Sequence, residues 1–354
     1  MTALAAHLSR QIRASGPISV ADYMAACLLH PDHGYYATRD PLGRAGDFVT
    51  APEISQMFGE LIGLCLAQAW RDQGSPGEIV LAELGPGRGT LMADALRAGA
   101  RAPGFAEAAR LHLVEASPAL RAVQADTLAA AGPTWHDRVD TLPDGPLFLV
   151  ANEFLDALPV RQFQRDGAGW RERVVGLDGD RLVPGLSGAL PRPELAHRLQ
   201  DTRDGDVVET CAPAAAVAAA IGARIARHGG AALFIDYGDW RSLGDTLQAL
   251  AGHAYADPFA APGAADLTAH VDFEPVAAAA RPATHTRLTP QGVFLERLGI
   301  TQRAQALARG LDGSALDAHV AAHRRLTHPD EMGTLFKVLG FVPEGAEPPP
   351  GLDA

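Results

Sequence analysis

Cysteine is scarce in this sequence of 354 residues, which contains only Cys27, Cys65 and Cys211. Their number is odd, their spacing is wide, and no two of them form a CxxC pair. A disulfide framework needs an even, closely spaced set of cysteines, and a zinc knuckle needs paired ones. The sequence therefore predicts neither structure, and we expect no metal site and a reducing compartment.

Positive charge is also low, and lysine is nearly absent. The chain has 30 Lys and Arg residues against 42 Asp and Glu residues, a formal net charge of −12, and Lys337 is its single lysine. The adjacent pair Arg324-Arg325 stands alone rather than in a basic cluster. Binding to nucleic acid needs a basic patch that displaces counterions from the phosphates. The charge balance therefore excludes nucleic acid as the main partner.

Long apolar runs are missing as well. The longest, around Ala212–Ile221, is rich in alanine and too short to cross a bilayer, which takes about 20 apolar residues. The segment Thr2–Ser15 contains Arg and Ser and no acid, as a mitochondrial presequence does. Its Leu4, Leu8 and Ile12 recur at helical spacing, however, which favours a first amphipathic helix. We expect no membrane insertion.

Short apolar runs alternate with helical stretches through the middle of the chain. Runs this continuous are typical of parallel strands that are covered on both faces. The alternation of strands and helices predicts a doubly wound α/β sheet. The predicted strands are Ile79–Leu84, Leu111–Glu115, Leu147–Ala151, Ala232–Tyr237 and a terminal Thr334–Phe341, and the predicted helices are Leu91–Ala100, Pro118–Ala131 and Ala214–His228.

Other segments interrupt this alternation. A helix is predicted over Pro52–Trp70, because proline suits the first helical turn and an acid there suits the helix dipole. Gly-rich turns within Gln162–Leu182 predict an inserted β-hairpin, followed by an irregular connection over 183–204. We therefore predict an N-terminal helical region with a covering loop over residues 1–76, a main domain over 77–342 with an insertion at about 161–205, and a disordered tail over 343–354.

A glycine-rich segment, Glu83-Leu84-Gly85-Pro86-Gly87-Arg88-Gly89-Thr90, closes the first predicted strand and opens a helix. Glycine lets the backbone turn tightly and approach a ligand, and open α/β sheets bind ligands at the carboxyl ends of their strands. A tight turn without a ligand is the alternative. The spacing GxGxG differs from the GxGxxG dinucleotide fingerprint, and no Lys-Ser/Thr pair follows as in a P-loop. The spacing therefore disfavours an NAD-dependent oxidoreductase.

Two acids flank this turn. Glu83 precedes the glycines, and Glu115 ends the second predicted strand 30 residues after Gly85. This arrangement is the pattern of Rossmann-like S-adenosylmethionine-dependent methyltransferases. In such a site the glycine turn packs against the methionine part of the cofactor, and Glu115 accepts hydrogen bonds from the two ribose hydroxyls. A solvated carboxylate at a strand end is the alternative for Glu115.

A second polar turn, Asn152-Glu153-Phe154-Leu155-Asp156-Ala157-Leu158-Pro159, follows the strand at 147–151. Two carboxylates three residues apart can lie on one side of a turn, and their planar bidentate partner is a guanidinium. Glu153 is the first candidate to orient a guanidine nitrogen and accept its proton, and Asp156 is the second. Helix-start acids that complement the dipole are the alternative. Asp236, at the end of a later predicted strand, lies at the same edge.

Polar residues elsewhere complete the candidate site. Asp47 and Glu53 lie in the segment GDFVTAPE (46–53), which we expect to fold over the cofactor and shield it from water. His270 and Asp272, in the segment AHVDF, either bind substrate or hold a strand edge.

Six motifs together resemble the MidA family of methyltransferases, and the resemblance covers nearly the whole chain. They are ISVADYMAACLLHPDHGYY (18–36), GDFVTAPEISQMFGEL (46–61), LAELGPGRGTL (81–91), NEFLDALPV (152–160), DLTAHVDF (266–273) and MGTLFKVL (332–339). The mitochondrial member of this family is the arginine methyltransferase that acts during complex I assembly. This chain starts almost directly at the first motif, which resembles the bacterial members and implies a cytoplasmic location, with the mitochondrial matrix as the alternative.

The resemblance implies a Rossmann-like methyltransferase with a seven-stranded, mostly parallel sheet and helices on both faces, together with the N-terminal helices and the inserted hairpin. It implies S-adenosylmethionine as the cofactor and a protein substrate, with symmetric dimethylation of an arginine in a quinone-module subunit of respiratory complex I. A homodimer is one expected assembly. The cofactor-binding candidates are Asp47, Thr50, Glu53, Glu83, Gly85, Pro86, Gly87, Gly89, Glu115, Ala116 and Asn152, and the catalytic candidates are Glu153, Asp156 and His270.

Two other functions fit the same residues. A small-molecule methyltransferase would share the cofactor site and differ in having a narrow, closed acceptor pocket. A non-catalytic assembly factor for complex I would keep the fold, with or without the cofactor, and would not need the carboxylate of Glu153.

Overall fold

The computed structural model describes residues 2–38 and 49–354, whose contacts divide them into two compact units. Each unit is built from several stretches of chain. The predicted domain bounds stay a prediction, and this grouping differs from them, since residues 49–76 fall in the same unit as the main sheet. The first unit comprises residues 2–38, 156–214 and 239–272, and the second comprises residues 49–155, 215–238 and 273–354.

Helices and strands alternate along the described part of the chain. The helices are α1 (Ala3–Ser15), α2 (Val20–Leu29), α3 (Tyr35–Thr38), α4 (Ala51–Ile54), α5 (Gln56–Asp72), α6 (Thr90–Gly99), α7 (Phe105–Ala108), α8 (Pro118–Thr127), α9 (Ala212–His228), α10 (Phe273–Ala279), α11 (Gln291–Arg297), α12 (Ile300–Ala308) and α13 (Gly313–Thr327). The strands are β1 (Ile18–Ser19), β2 (Ile79–Leu84), β3 (Ala109–Val114), β4 (Thr134–His136), β5 (Leu147–Asn152), β6 (Arg161–Asp166), β7 (Gly169–Asp178), β8 (Arg181–Leu186), β9 (Val207–Thr210), β10 (Gly230–Asp239), β11 (Gln248–Ala251), β12 (Ala254–Ala256), β13 (Asp266–Thr268), β14 (Val271–Asp272), β15 (Thr284–His285), β16 (Thr289–Pro290) and β17 (Phe336–Val342).

The second unit is built on a sheet with the strand order β4-β3-β2-β5-β10-β17-β15. The strands from β4 to β10 are parallel to their neighbours, whereas β17 is antiparallel to both β10 and β15. The chain runs outward from β2 through β3 to β4 and then returns to the other side of β2 at β5. Such a reversal is a topological switch point, where open α/β sheets bind ligands. The predicted Rossmann-like, mostly parallel sheet is confirmed, but β16 also pairs with β17, so the sheet has more strands than the predicted seven.

The central strands of this sheet follow from their composition. Every residue of β2 and β5 is buried, as strands covered on both faces require. Helices α5 and α6 approach so closely that a Cβ on Gly63 would lie 2.2 Å from the carbonyl oxygen of Ala95. Glycine at position 63 therefore permits the close packing of these two helices.

The prediction of one continuous helix over Pro52–Trp70 is wrong. The structure has two helices, α4 and α5, separated by Ser55 in an extended conformation with φ −159° and ψ 136°. The Ser55 hydroxyl accepts a hydrogen bond from the Met57 amide at 3.3 Å and so caps the start of α5. The apolar residues keep helical spacing through both helices, so the sequence pattern does not reveal the break at Ser55.

The first unit contains two small antiparallel sheets. One has the order β1-β7-β6-β9, with β8 paired to β7, and the other has the order β12-β11-β13. The predicted hairpin is confirmed as β6 and β7, and β8 and β9 extend it beyond the prediction. The predicted amphipathic first helix is also confirmed, since Leu4, Leu8 and Ile12 of α1 lie in the core of this unit.

Two further observations concern the predictions on membranes and the tail. Within the two described ranges, no helix combines the length and the apolar composition needed to cross a membrane. Segment 343–354 contains no helix or strand, yet Leu352 is buried in the core of the second unit. Asp353 accepts a hydrogen bond from Arg297 at 2.8 Å, so this segment has specific contacts where the composition had predicted disorder.

Candidate active site

The glycine-rich turn joins β2 to α6 at the switch point of the sheet. Gly85, Gly87 and Gly89 have φ angles of +59°, +55° and +82°, a region that favours glycine. The Gly85 amide donates to the Val114 carbonyl at 3.0 Å, which ties the turn to the end of β3. A Cβ on Gly85 would lie 2.9 Å from Cδ2 of Phe154. Both the backbone conformation and the close approach therefore require glycine at position 85.

Glu83 is a buried carboxylate just before this turn. The residue is 3% exposed, and within the described residues its Oε2 has no hydrogen-bond partner. Burial, together with a smaller contribution from the carboxylate of Glu115, raises the pKa of Glu83 to about 8. A buried acid without a partner is costly in its charged form. A cationic ligand group beside Glu83 would stabilise the carboxylate, so the position suits a positively charged ligand.

Glu115, directly after β3, is held by donors on both carboxylate oxygens. Its Oε1 accepts from the Ser117 amide at 2.8 Å, and its Oε2 accepts from Nε2 of Gln124 at 3.2 Å. Burial raises the pKa of Glu115, and these two hydrogen bonds oppose that shift. Gln124 also donates to the Gly87 carbonyl at 2.8 Å and so links Glu115 to the glycine turn. Ala116, between Glu115 and Ser117, is exposed.

Glu153 follows β5 in a strained backbone conformation, with φ at +50°. Residues other than glycine rarely adopt this region, and such outliers cluster at functional sites. Its Oε1 accepts hydrogen bonds from the Ala51 amide at 2.8 Å and from Nδ2 of Asn152 at 3.0 Å. Oδ1 of Asn152 is buried and, within residues 49–354, has no partner. The Glu153 carboxylate thus connects the end of β5 to the start of α4.

Asp236, on β10, fixes the turn that carries Glu153. This residue is 1% exposed. Its Oδ2 accepts from the Leu155 amide at 2.9 Å, and its Oδ1 accepts from the Tyr237 amide at 2.9 Å. Asp236 therefore holds the backbone of the turn after β5 against the neighbouring strand.

Residues 50–53 connect the two polar turns of the second unit. Thr50 precedes α4, and its carbonyl accepts from the Glu53 amide at 2.9 Å. Oε1 of Glu53 accepts a hydrogen bond at 2.5 Å from the hydroxyl of Thr90, the first residue of α6. Asp47 lies outside the described residues. Of the segment 46–53, which was predicted to cover the cofactor, the structure describes residues 49–53.

The other two catalytic candidates lie in the first unit. Asp156 is buried, and its carbonyl accepts from the Ala269 amide at 3.0 Å. The backbone amide of His270 donates to Oγ1 of Thr246 at 2.8 Å. The contacts therefore assign Asp156 and His270 to one unit and Glu153 to the other, although the sequence had suggested a single acidic pair.

Tyr36 adds a polar contact in the first unit. Its hydroxyl donates to Oδ1 of Asp266 at 2.9 Å. Burial raises the pKa of Tyr36 well above its ordinary value, and the carboxylates of Asp266 and Asp156 raise it further. The hydroxyl therefore stays protonated and remains a donor at neutral pH. Regarding metals, the described part of the chain holds no cluster of three or more His, Cys, Asp or Glu side chains that could bind an ion.

These residues of the second unit form a candidate ligand-binding edge. The glycine turn provides close backbone access, Glu83 provides a buried carboxylate oxygen that has no partner among residues 2–38 and 49–354, and Glu115 provides a carboxylate whose oxygens are already oriented. This combination suits a ligand with hydroxyl groups and a positive charge.

Comparisons with known proteins agree with this description. Residues 61–292 match a family model described as S-adenosyl-L-methionine-dependent methyltransferase. The mitochondrial protein arginine methyltransferase NDUFAF7 of Danio rerio is 38% identical over 95% of this chain and 86% of that protein. The corresponding protein of Homo sapiens is 36% identical over 97% of this chain and 84% of that protein.

A solved structure shows the same fold. A crystal structure of a Burkholderia thailandensis protein bound to S-adenosyl-homocysteine has a TM-score of 0.84 and 34% identity, and the match covers 99% of this chain and 94% of that chain. A native crystal structure of a protein from the same organism has a TM-score of 0.80 and 33% identity. The chain therefore belongs to the MidA family of S-adenosylmethionine-dependent methyltransferases, which includes the mitochondrial NDUFAF7 proteins.

Proposed function

We propose that this chain is a protein arginine N-methyltransferase that symmetrically dimethylates an arginine in a quinone-module subunit of respiratory complex I. The observation that carries the proposal is the match to relatives named protein arginine methyltransferase, at 36–38% identity over 95% or more of this chain. Complex I as the target comes from the MidA resemblance. The acidic residues at the sheet edge support a cationic acceptor, because carboxylates bind guanidinium groups. A homodimer and a cytoplasmic location remain predictions.

The cofactor site is proposed on residues of the second unit. Bound S-adenosylmethionine supplies a methyl group on a positively charged sulfur. This sulfur is a good leaving group because it departs as a neutral thioether. Glu83 would stabilise positive charge on the methionine side, and Glu115 would accept hydrogen bonds from the ribose hydroxyls. Two buried oxygens, Oε2 of Glu83 and Oδ1 of Asn152, have no partner in the described part of the chain, and they support this fit together with the left-handed turn at Gly85. Thr50, Glu53, Pro86, Gly87, Gly89 and Ala116 would complete the lining, and Asp47 stays a candidate outside the described residues.

The acceptor side is proposed around Glu153. The guanidinium group of arginine has a pKa above about 12 and is protonated at neutral pH, so it must lose a proton before or while one of its nitrogens attacks the methyl group. A carboxylate nearby can orient this nitrogen and accept the proton. The bonds from Ala51 and Asn152 fix the position of the Glu153 carboxylate, which supports Glu153 as the first candidate. Asp156 is the second candidate, and His270 is the third.

The test is mass spectrometry of complex I peptides from the source strain and from a deletion strain that expresses the wild type, Glu153→Gln or Glu296→Gln. Glu296 is an exposed glutamate on α11, so Glu296→Gln removes one charge without touching the site. We expect a symmetrically dimethylated arginine to vanish in the deletion strain. The wild type and Glu296→Gln should restore it, and Glu153→Gln should not.

Three outcomes contradict the proposal in different ways. A methylarginine that persists in the deletion strain excludes complex I as the target. Methylation of small amines by the purified protein, with complex I peptides unmodified, favours a small-molecule methyltransferase. Restored complex I assembly by Glu153→Gln without methylation favours a non-catalytic assembly factor.

A further inference from the structure

Gln124, on α8, is completely buried and uses its whole side-chain amide. Its Nε2 donates to the Gly87 carbonyl at 2.8 Å and to Oε2 of Glu115 at 3.2 Å, while its Oε1 accepts from Nε1 of Trp135 at 2.8 Å. An indole N–H can only donate, so the amide oxygen must face Trp135. The amino group must then face the two acceptors. The orientation of the amide is therefore determined by its three partners.

The Gln124 side chain links the turn after β2 to the residue after β3, two segments that are neighbours at the edge of the sheet. The Gly87 carbonyl belongs to the turn after β2, and Glu115 follows β3. The Ser117 amide donates to one oxygen of the Glu115 carboxylate, and Gln124 donates to the other. Loss of the Gln124 bond would remove a restraint on the rotation of this carboxylate, and the Gly87 carbonyl and the Trp135 indole would each lose their bond to Gln124.

We propose that Gln124 is a positioning residue for the cofactor. Its hydrogen bonds fix both the orientation of the Glu115 carboxylate and the position of the Gly87 carbonyl in the glycine turn. The inference rests on the proposed assignment of Glu115 to the ribose hydroxyls. An alternative without function is a glutamine that only satisfies buried polar groups of the core. The two readings differ in what a carboxyl group at position 124 does to cofactor binding as the pH changes.

The experiment is calorimetry with S-adenosylmethionine on the full chain between pH 6 and pH 8.5. We expect Gln124→Leu to weaken binding about 10- to 100-fold, because hydrogen bonds to charged groups are strong. In Gln124→Glu the new carboxyl group can donate to Glu115 only when it is protonated, and when charged it repels Glu115. The ratio of the dissociation constants of Gln124→Glu and wild type should therefore fall as the pH is lowered.

Gln291 provides a matched control. It is equally buried in the same unit, and its Nε2 donates to the Leu326 carbonyl at 3.0 Å, in a contact between α11 and α13. Gln291→Leu should bind S-adenosylmethionine within twofold of the wild type even where it lowers thermal stability. Equal weakening by Gln291→Leu and Gln124→Leu would mean that loss of any buried amide has this effect, which overturns the inference.

Glu115→Gln separates failure of the inference from failure of the proposed cofactor site. Weakened binding by Glu115→Gln, together with wild-type binding by both Gln124 variants, overturns the role of Gln124 and leaves the site intact. Wild-type binding by Glu115→Gln overturns the ribose assignment itself. If Gln124→Leu does not fold, Gln124→Glu decides the question: a binding ratio that is constant across the pH range overturns the inference.

Discussion

Replacing the ionisable side chain of Glu83 with glutamine should stabilise the cofactor-free protein at neutral pH. Burial raises the pKa of this carboxyl to about 8, against an ordinary value of 4.5 that the unfolded chain would have. Between these two values the folded protein keeps a proton that the unfolded chain has released. The free energy of unfolding therefore falls as the pH rises from 4.5 to 8 and levels off above that range.

The size of this effect follows from the shift in pKa. One pKa unit corresponds to about 1.4 kcal/mol, so the wild type should lose about 3 kcal/mol between pH 4.5 and pH 7 through Glu83 alone. Glu83→Gln has a similar shape and no proton to lose. Its free energy of unfolding, measured relative to the wild type, should therefore rise by about the same amount over this range. Any misfit of the amide adds an offset that does not depend on pH.

Urea unfolding without cofactor at pH 5, 6, 7 and 8 measures this difference. Glu347→Gln is the control, because this glutamate is exposed and forms no ion pair among the described residues, so the variant should give a curve parallel to the wild type. Parallel curves for Glu83→Gln and the wild type, within about 0.5 kcal/mol at every pH, would refute the reasoning, since typical extrapolation errors are of that order. Saturating S-adenosylmethionine should stabilise the wild type more than Glu83→Gln, because a bound cation favours the carboxylate.

Three other substitutions test the two polar turns. Gly85→Ala should lower the free energy of unfolding by about 1–3 kcal/mol and weaken S-adenosylmethionine binding, because φ is +59° and the new Cβ would contact the ring of Phe154. An unchanged melting temperature would contradict this expectation. Asp236→Asn should cost about 2–3 kcal/mol by weakening the bond from the Leu155 amide, and hydrogen exchange at that amide should accelerate. Thr90→Val should cost about 1–2 kcal/mol in urea unfolding by removing the donor to Glu53, and an unchanged midpoint would show that this contact contributes nothing.

The parallel sheet was predictable because its central strands are buried on both faces. Strand β2 has the predicted bounds, and β5 and β10 differ from the prediction by one or two residues at their ends. Strands β4, β11 and β12 have only three or four residues each, which is too short for periodicity to reveal them. The break at Ser55 escaped prediction because a single extended residue does not disturb the apolar spacing on either side.

The sequence predicts the candidate site residues whose surroundings follow from their position in a strand or turn. Glycines after a buried strand and acids at strand ends could be placed in this way. Gln124 could not, because its importance comes from contacts with Gly87, Glu115 and Trp135 that are distant in sequence. A weak signal did exist: Leu120 and Gln124 are the buried residues of α8 and lie four apart, so a polar side chain occupies the apolar face of this helix.

Glu83 lies near the end of β2 and Glu153 follows the neighbouring strand β5, yet their carboxylates are stabilised in different ways. Glu153 accepts two N–H bonds from the protein itself, whereas Oε2 of Glu83 has no partner within the described residues. With its pKa at about 8, Glu83 is mostly protonated at pH 7 until a cation arrives. Binding of S-adenosylmethionine should therefore release close to one proton at pH 7 and fewer at pH 9, with affinity rising with pH up to about 8. Calorimetry in buffers of different ionisation enthalpy counts this proton, and proton release by Glu83→Gln equal to that of the wild type would assign it to another group.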